Sequence, residues 1–266
     1  MPILHALVLG IVQGLTEFLP VSSSGHLAVV PWLFGWDELA NNPELNQTFD
    51  VALHMGTFVG ALGYFWRDIW SFVVRRERRR FGLLLLVATV PAGVVGLVVK
   101  DVVADGREWL IGVMLIVFAV VLWWADRLPE RRVAEAPMGG FGARDALVMG
   151  VAQAAALQPG VSRSGATISA GRWLGFTRED SARISFLMSL PVIGGAGLVK
   201  GVDVVNAGGV PAELVPPFLW GMAAAGVTGA AAVWGLLRVL RTRTMRPFVA
   251  YRIVAGLAII AIAAAR

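Results

Sequence analysis

The sequence contains no cysteine, and that absence excludes a disulfide framework, thiolate chemistry and a cysteine-based zinc site. Charge is scarce as well: Asp, Glu, Lys and Arg make up 15% of the 266 residues, against 57% hydrophobic residues, and mean hydropathy is +0.70. This balance excludes an ordinary soluble domain and fits an integral membrane protein. Short alternating strands of the outer-membrane barrel type are missing, since the apolar runs last about 17–25 residues between short charged loops, the length of helical spans. Lysine is nearly absent, two residues beside 21 arginines, and the pI is near 10.6. The arginines stand mostly between hydrophobic segments, where anionic headgroups and the positive-inside rule account for them, so a nucleic-acid partner is set aside. No basic stretch precedes the first apolar run, which argues against a cleaved signal peptide.

What is present is a repeated polar interruption. The stretch 159–167 puts Ser162, Arg163, Ser164 and Thr167 into apolar surroundings, and an arginine inside a membrane is a functional candidate by default. A gapless shift of 140 residues lays Leu19-Pro20-Val21-Ser22-Ser23-Ser24-Gly25-His26 under residues 159–166, and residues 6–13 under 146–153. The agreement is too long to be a coincidence of small residues, and it reads as an internal repeat.

In order, residues 3–36 form two half-length apolar segments meeting at 20–25, too short to cross separately, and predict a re-entrant helical hairpin. Spans are expected at 49–66, 81–99 and 109–125, completing a first repeat over 1–125. The six arginines of 67–80 place that loop in the cytoplasm, and 126–145 is a cytoplasmic linker rich in Pro, Gly and charge. The second repeat, 146–266, holds a hairpin at 146–176 and spans at 184–200, 214–237 and 248–265. Three crossings per half invert the second copy, and both arginine-rich loops then fall on one side. The expected fold is an all-α inverted repeat whose hairpins enter from opposite faces and meet near the midplane.

In each hairpin the second helix starts with serines after a break, so its free N–H groups face the protein centre and favour an anion. Arg163 adds a fixed charge with a fork matched to phosphate oxygens. The first copy carries Ser22, Ser23, Ser24 and His26, a set suited to reaction, whereas the residues of the other copy suit a phosphate clamp. Gln13 and Glu17 lie one helical turn apart, and a central carboxylate costs about 2.5–3.5 kcal/mol on insertion scales, so Glu17 requires a partner. His26, Arg163 or a divalent cation can serve. Gln13 does not titrate, which removes a paired-carboxylate device.

Residues 13–26, Gln-Gly-Leu-Thr-Glu-Phe-Leu-Pro-Val-Ser-Ser-Ser-Gly-His, and 159–167, Pro-Gly-Val-Ser-Arg-Ser-Gly-Ala-Thr, resemble the two signature motifs of the undecaprenyl-pyrophosphate phosphatase family, the bacitracin-resistance proteins. The resemblance spans essentially the whole chain, including the pair Tyr251-Arg252. It implies a multi-pass phosphatase of the bacterial inner membrane that removes the terminal phosphate of the C55 lipid diphosphate, with dependence on Mg²⁺ or Ca²⁺. Carried over residue by residue, the first motif's acidic position is Glu17, its hydroxyl cluster Ser22 and Ser23 and its histidine His26, and Arg163 is the second motif's arginine; Glu17, Ser23, His26 and Arg163 are expected to be catalytic. Ser22, Ser24, Ser162, Ser164, Thr167 and Gln13 would bind phosphate, and Glu17 would orient His26 or hold the cation. Gln13 stands where some members have glutamate. Ser23 is the expected nucleophile with His26 beside it for the proton; a phosphohistidine at His26 is the competing assignment.

Other polar residues read as structural. His54 is expected to pack within its span, His5 to sit at an interface, and Arg172 and Arg252 to snorkel unless they reach the second phosphate. Tryptophans near span ends suit interfacial belts, and the Gly and Ala of 221–235 suit close helix packing. A lipid-phosphate transporter is the alternative function, since transporters also place broken helices at the midplane, and a binding scaffold without turnover is a third. The first hairpin enters from outside in this topology, so the site is expected to open extracytoplasmically.

Overall fold

The computed structural model describes residues 1–36, 38, 42–99, 108–132 and 140–265. Part of the expected linker 126–145 lies outside the described residues, as do most of the residues between the first hairpin and α3 and those between α5 and α6. Among the described residues the fold is helical, with no strand and one isolated bridge between Arg132 and Phe176. The helices are α1 (Ile3–Phe18), α2 (Ser23–Phe34), α3 (Pro43–Val74), α4 (Arg76–Val87), α5 (Val90–Val99) and α6 (Glu108–Asp126), followed by α7 (Ala143–Ala155), α8 (Arg163–Trp173), α9 (Arg178–Asn206), α10 (Val215–Leu240) and α11 (Arg246–Ala265).

Among the described residues, five segments are long and apolar enough to cross a bilayer: Arg76–Val98, Glu108–Asp126, Arg178–Asn206, Ala212–Leu240 and Arg246–Ala265. The segment expected as a span over 81–99 falls, but for its last residue, within the first of these, and its helix is interrupted by a turn at Ala88 and Thr89, just before Pro91, whose missing N–H cannot continue an ideal ladder. The expected crossing at 49–66 lies inside α3, whose 32 residues extend about 48 Å at 1.5 Å per residue. Polar residues on α3 keep it outside the five apolar spans.

α10 packs against α1 and α3, and α6 against α11. These contacts are backbone to backbone in places: a Cβ added to Gly56 or Gly60 of α3 would stand 2.2 Å from the carbonyl oxygen of Met222 or Gly226 on α10. With little hydrophobic drive between helices in lipid, such close van der Waals approach is a main source of association. Aromatic residues fill the centre, with Phe18 edge-on to Phe186 and Phe65 and Phe176 fully buried.

The two interruptions, Leu19–Ser22 and Pro159–Ser162, are built alike. Among the described residues, Ser22 and Ser162 are the non-glycine residues with positive φ, 77° and 72°. Each side-chain oxygen accepts the backbone N–H three residues on, from Gly25 at 3.4 Å and Gly165 at 3.1 Å. Such a conformation costs on the order of 1–3 kcal/mol and persists only where its surroundings over-determine it. Here they do. Gly160 N–H donates to Ser22 Oγ, and Ser164 Oγ–H donates to the Leu19 carbonyl, so each break satisfies the other. Gly160 itself has φ +91°, and a Cβ there would meet the Ile111 carbonyl oxygen at 2.6 Å.

Arg252 joins these breaks to α6. Its guanidinium, fully buried, donates to the carbonyls of Leu115, Pro20, Gly160 and Val161 at 2.9–3.1 Å. The snorkelling expected for Arg252 is therefore corrected: irregular backbone inside a membrane leaves carbonyls without partners, and a five-donor fork supplies them. Arg172 is likewise buried, donating to the carbonyls of Phe176 and Leu128 and to Glu130. Neither arginine lines the cavity described next.

Candidate active site

Glu17 is the last but one residue of α1, where the helix ends before Pro20 and its side chain turns into the space between the two breaks. It is buried, and both oxygens are engaged. Oε1 accepts from Arg163 Nη2 at 2.7 Å. Oε2 accepts from Ser23 Oγ–H at 2.6 Å and from Gln13 Nε2–H at 2.9 Å, one turn back on α1. The two sequence motifs, 146 residues apart at this contact, are thereby joined through one carboxylate.

Around them lies a cavity of about 260 Å³. Glu17, Ser22, Ser23, Ser24, Ser162 and Arg163 line its polar side; Val51, Ile193 and Ala196 contribute to the apolar wall. Ser23 and Arg163 are the first residues of α2 and α8, so the free N–H groups of two helix starts adjoin the same space. The ion pair offsets the cost of burying Glu17 and Arg163, and Arg163 retains a second nitrogen, Nη1, buried and without a partner among the described residues. A carboxylate in contact with a hydroxyl, beside a guanidinium with spare donors, can take a proton and hold an anion.

The remaining expected residues are dispersed. Ser162 Oγ and Ser164 Oγ are 3.2 Å apart and serve the capping just described, while Thr167 Oγ1 donates to the Arg163 carbonyl and meets Ser185 Oγ at 2.6 Å, one turn deeper. Thr167 therefore supports α8 rather than lining the cavity. His26 is also outside it. Its Nδ1 bonds the Ser22 carbonyl and its Nε2 the Tyr251 hydroxyl, both at 2.6 Å. The expectation that Glu17 orients His26 is corrected: Glu17 is committed to Arg163, Gln13 and Ser23, and His26 points toward α11. His5, expected at an interface, stacks on Trp36 and contacts Glu38.

One imidazole does face the cavity, and it is the one expected only to pack. His54 of α3 lines the space and holds Nε2 3.4 Å from Glu17 Oε2, with Nδ1 on the Asp50 carbonyl at 2.7 Å. The available signal was a pair of polar residues, Asp50 and His54, four apart in an otherwise apolar run; four-residue spacing puts both on one helix face. No repeat partner marked them, since position 194 is glycine.

The sequence profile described as "Bacitracin resistance protein BacA" matches residues 6–258. A protein of Pelotomaculum thermopropionicum named "Undecaprenyl-diphosphatase" is 43% identical over 275 residues, covering 100% of this chain and 98% of the relative. Proteins of the same name from Geobacter sulfurreducens (43% over 279 residues, 100% of both chains) and Thermomicrobium roseum (42% over 281 residues, 98% of both) agree.

Proposed function

The chain belongs to the BacA family of bacitracin resistance proteins, and from that premise we propose how its residues carry the family's chemistry. It is a multi-pass membrane phosphatase that hydrolyses undecaprenyl diphosphate to undecaprenyl phosphate and inorganic phosphate. That activity regenerates a lipid carrier for cell-wall synthesis and opposes bacitracin.

The observation that carries the mechanism is the single carboxylate of Glu17 receiving the Ser23 hydroxyl and the Arg163 guanidinium at the edge of one cavity. Ser23 Oγ attacks the terminal phosphorus as its proton passes to Glu17 Oε2. The bond from that phosphorus to the bridging oxygen breaks, and the electron pair leaves with undecaprenyl phosphate. Water then hydrolyses the phosphoserine, releasing inorganic phosphate and returning the serine proton. Arg163 and the starts of α2 and α8 bear the charge on the phosphoryl oxygens, with Ser22, Ser24 and Ser162 beside them. His26, whose two ring nitrogens bond the Ser22 carbonyl and the Tyr251 hydroxyl, braces the start of α2 against α11 and takes no proton from Ser23.

Mg²⁺ or Ca²⁺ remains part of the proposal as a companion of the diphosphate. A resident metal on Glu17 does not fit this arrangement: both its oxygens are taken by side chains, one by a guanidinium, and no group of three potential His, Cys, Asp or Glu ligands exists among the described residues. The cation would arrive with phosphate oxygens as its main ligands, the usual habit of Mg²⁺.

The inverted repeat belongs to the same proposal. It is supported by the 140-residue self-match and by the like-built serines at 22 and 162, and it treats α3 as a crossing helix alongside the five apolar spans. In that topology the cavity opens extracytoplasmically.

Phosphate release by purified protein from undecaprenyl diphosphate tests the reading. Ser23→Ala, Glu17→Gln and Arg163→Ala are each expected to lower kcat by about 10²-fold or more. Wild-type rates in all three would end it, and lipid translocation across vesicles without phosphate release would restore the transporter alternative.

A further inference from the structure

We propose that His54 is a positioning residue of the reaction, the group that accepts the hydrogen bond of Glu17 once Glu17 has taken the serine proton. The inference rests on the phosphatase reading and extends it to a residue outside both signature motifs.

The geometry fixes the ring's tautomer. His54 Nδ1 lies 2.7 Å from the Asp50 carbonyl oxygen, which can only accept, so Nδ1 carries the hydrogen. In the neutral ring Nε2 then presents a lone pair, and that atom faces Glu17 Oε2 at 3.4 Å across the cavity edge. While Glu17 is ionised, the lone pair and the carboxylate oxygen repel each other, which suits the long separation. Transfer of the Ser23 proton to Oε2 changes this. The new O–H of Glu17 has an acceptor waiting in His54 Nε2, on the same oxygen that held the serine.

The order Ser23, Glu17, His54 thus lets the proton leave the serine without returning before the phosphorus bond forms. The atoms balance as in the proposed mechanism: the Oγ–P bond forms, the bridging P–O bond breaks with its electron pair on the lipid phosphate, and the proton rests on Glu17, hydrogen-bonded to His54. Two other charged groups stand near this point: Arg163, which engages Oε1 and leaves Oε2 to Ser23, Gln13 and the relay, and Asp50, one turn before His54 on α3, whose backbone carbonyl holds the ring. The α9 wall offers nothing in competition, since it contributes Val192, Ile193, Ala196 and Gly197. His26 cannot substitute, as both of its ring nitrogens are bonded elsewhere.

The test compares full-length wild type, His54→Leu, His54→Met and His54→Gln in phosphate release from undecaprenyl diphosphate, with apparent Tm recorded for each. Leu and Met retain bulk without an acceptor; Gln retains an acceptor oxygen. The expected result is a loss of about 10²-fold in kcat for Leu and Met with KM changed little, and recovery of most of that loss in Gln. Two apolar variants are included so that poor folding of one leaves the other to decide. A kcat for folded Leu or Met equal to wild type overturns the inference, as does equal loss in Gln, or a loss confined to KM. Ser23→Ala in the same assay separates the two claims: if it is inactive while the His54 variants match wild type, the phosphatase reading stands and the relay falls.

Discussion

Arg163 shows how much a single side chain's shape contributes. One nitrogen is fixed on Glu17 and another is buried without a partner among the described residues, so in the proposed mechanism the guanidinium bridges the carboxylate to the anion in the cavity. A lysine's three donors leave from a single nitrogen and do not span the two positions of the fork. Arg163→Lys is therefore expected to keep the charge and still lose about tenfold or more in kcat/KM, the cost of one charge-assisted hydrogen bond. Activity near wild type would show that charge alone suffices. The same residue illustrates what a sequence discloses: its polarity in an apolar context marked it at once, whereas its contact with Glu17 depended on two chain breaks 140 residues apart meeting in space.

At the level of elements, the two interrupted hairpins are held by donors from other helices. Arg252 of α11 saturates four carbonyls, two of them in the second break and one in the first. Its removal leaves buried acceptors bare, each at about 1–3 kcal/mol, so Arg252→Met is expected to lower apparent Tm by several degrees or to prevent accumulation in the membrane. Arg127→Met, which removes an exposed guanidinium stacked on Trp123, serves as the comparison and is expected to change Tm little. The α3–α10 contact makes a further prediction within one helix. Gly60→Ala forces a Cβ against the Gly226 carbonyl and is expected to destabilise by about 1–3 kcal/mol, while Gly63→Ala enters open space and is expected to be neutral or stabilising by up to about 1 kcal/mol. Thermal unfolding in detergent distinguishes them, and equal shifts would discount the close backbone approach.

For the whole molecule the question is which face admits substrate. The chain has no cysteine, so single introduced cysteines report position without background. Ser24→Cys, at the exposed rim of the cavity, is expected to react with a membrane-impermeant reagent added outside the cell, and Arg76→Cys, at the start of α4, only after the cytoplasmic face is opened. Labelling of Ser24→Cys from the cytoplasm alone would reverse the proposed orientation. Arginine-rich termini fit the arrangement: Arg183 pairs with Asp68, Arg178 with Asp126 and Arg132 with Asp145, binding the ends of several helices near the loops that the positive-inside rule assigns to the cytoplasm.

Much of this protein was legible in its linear sequence because membrane insertion is a constraint on composition. A helix must be apolar over a fixed length, an interruption must contain Pro, Gly or Ser, and a charge at depth must have a reason. Those local rules located both breaks, most of the helices, and Glu17, Ser23 and Arg163. They did not disclose partners. That His26 turns to Tyr251, that Arg252 knits the breaks instead of reaching the surface, and that His54 faces Glu17 all depend on the rotation of one helix about its axis relative to another. Rotation is set by close packing such as that of α3 on α10, where glycines bring the backbones together and turn His54 toward the cavity. Asp50 and His54 mark a polar face on α3 but not the direction in which that face turns, and only the tertiary structure decides whether it meets lipid, a neighbouring helix or the cavity beside Glu17.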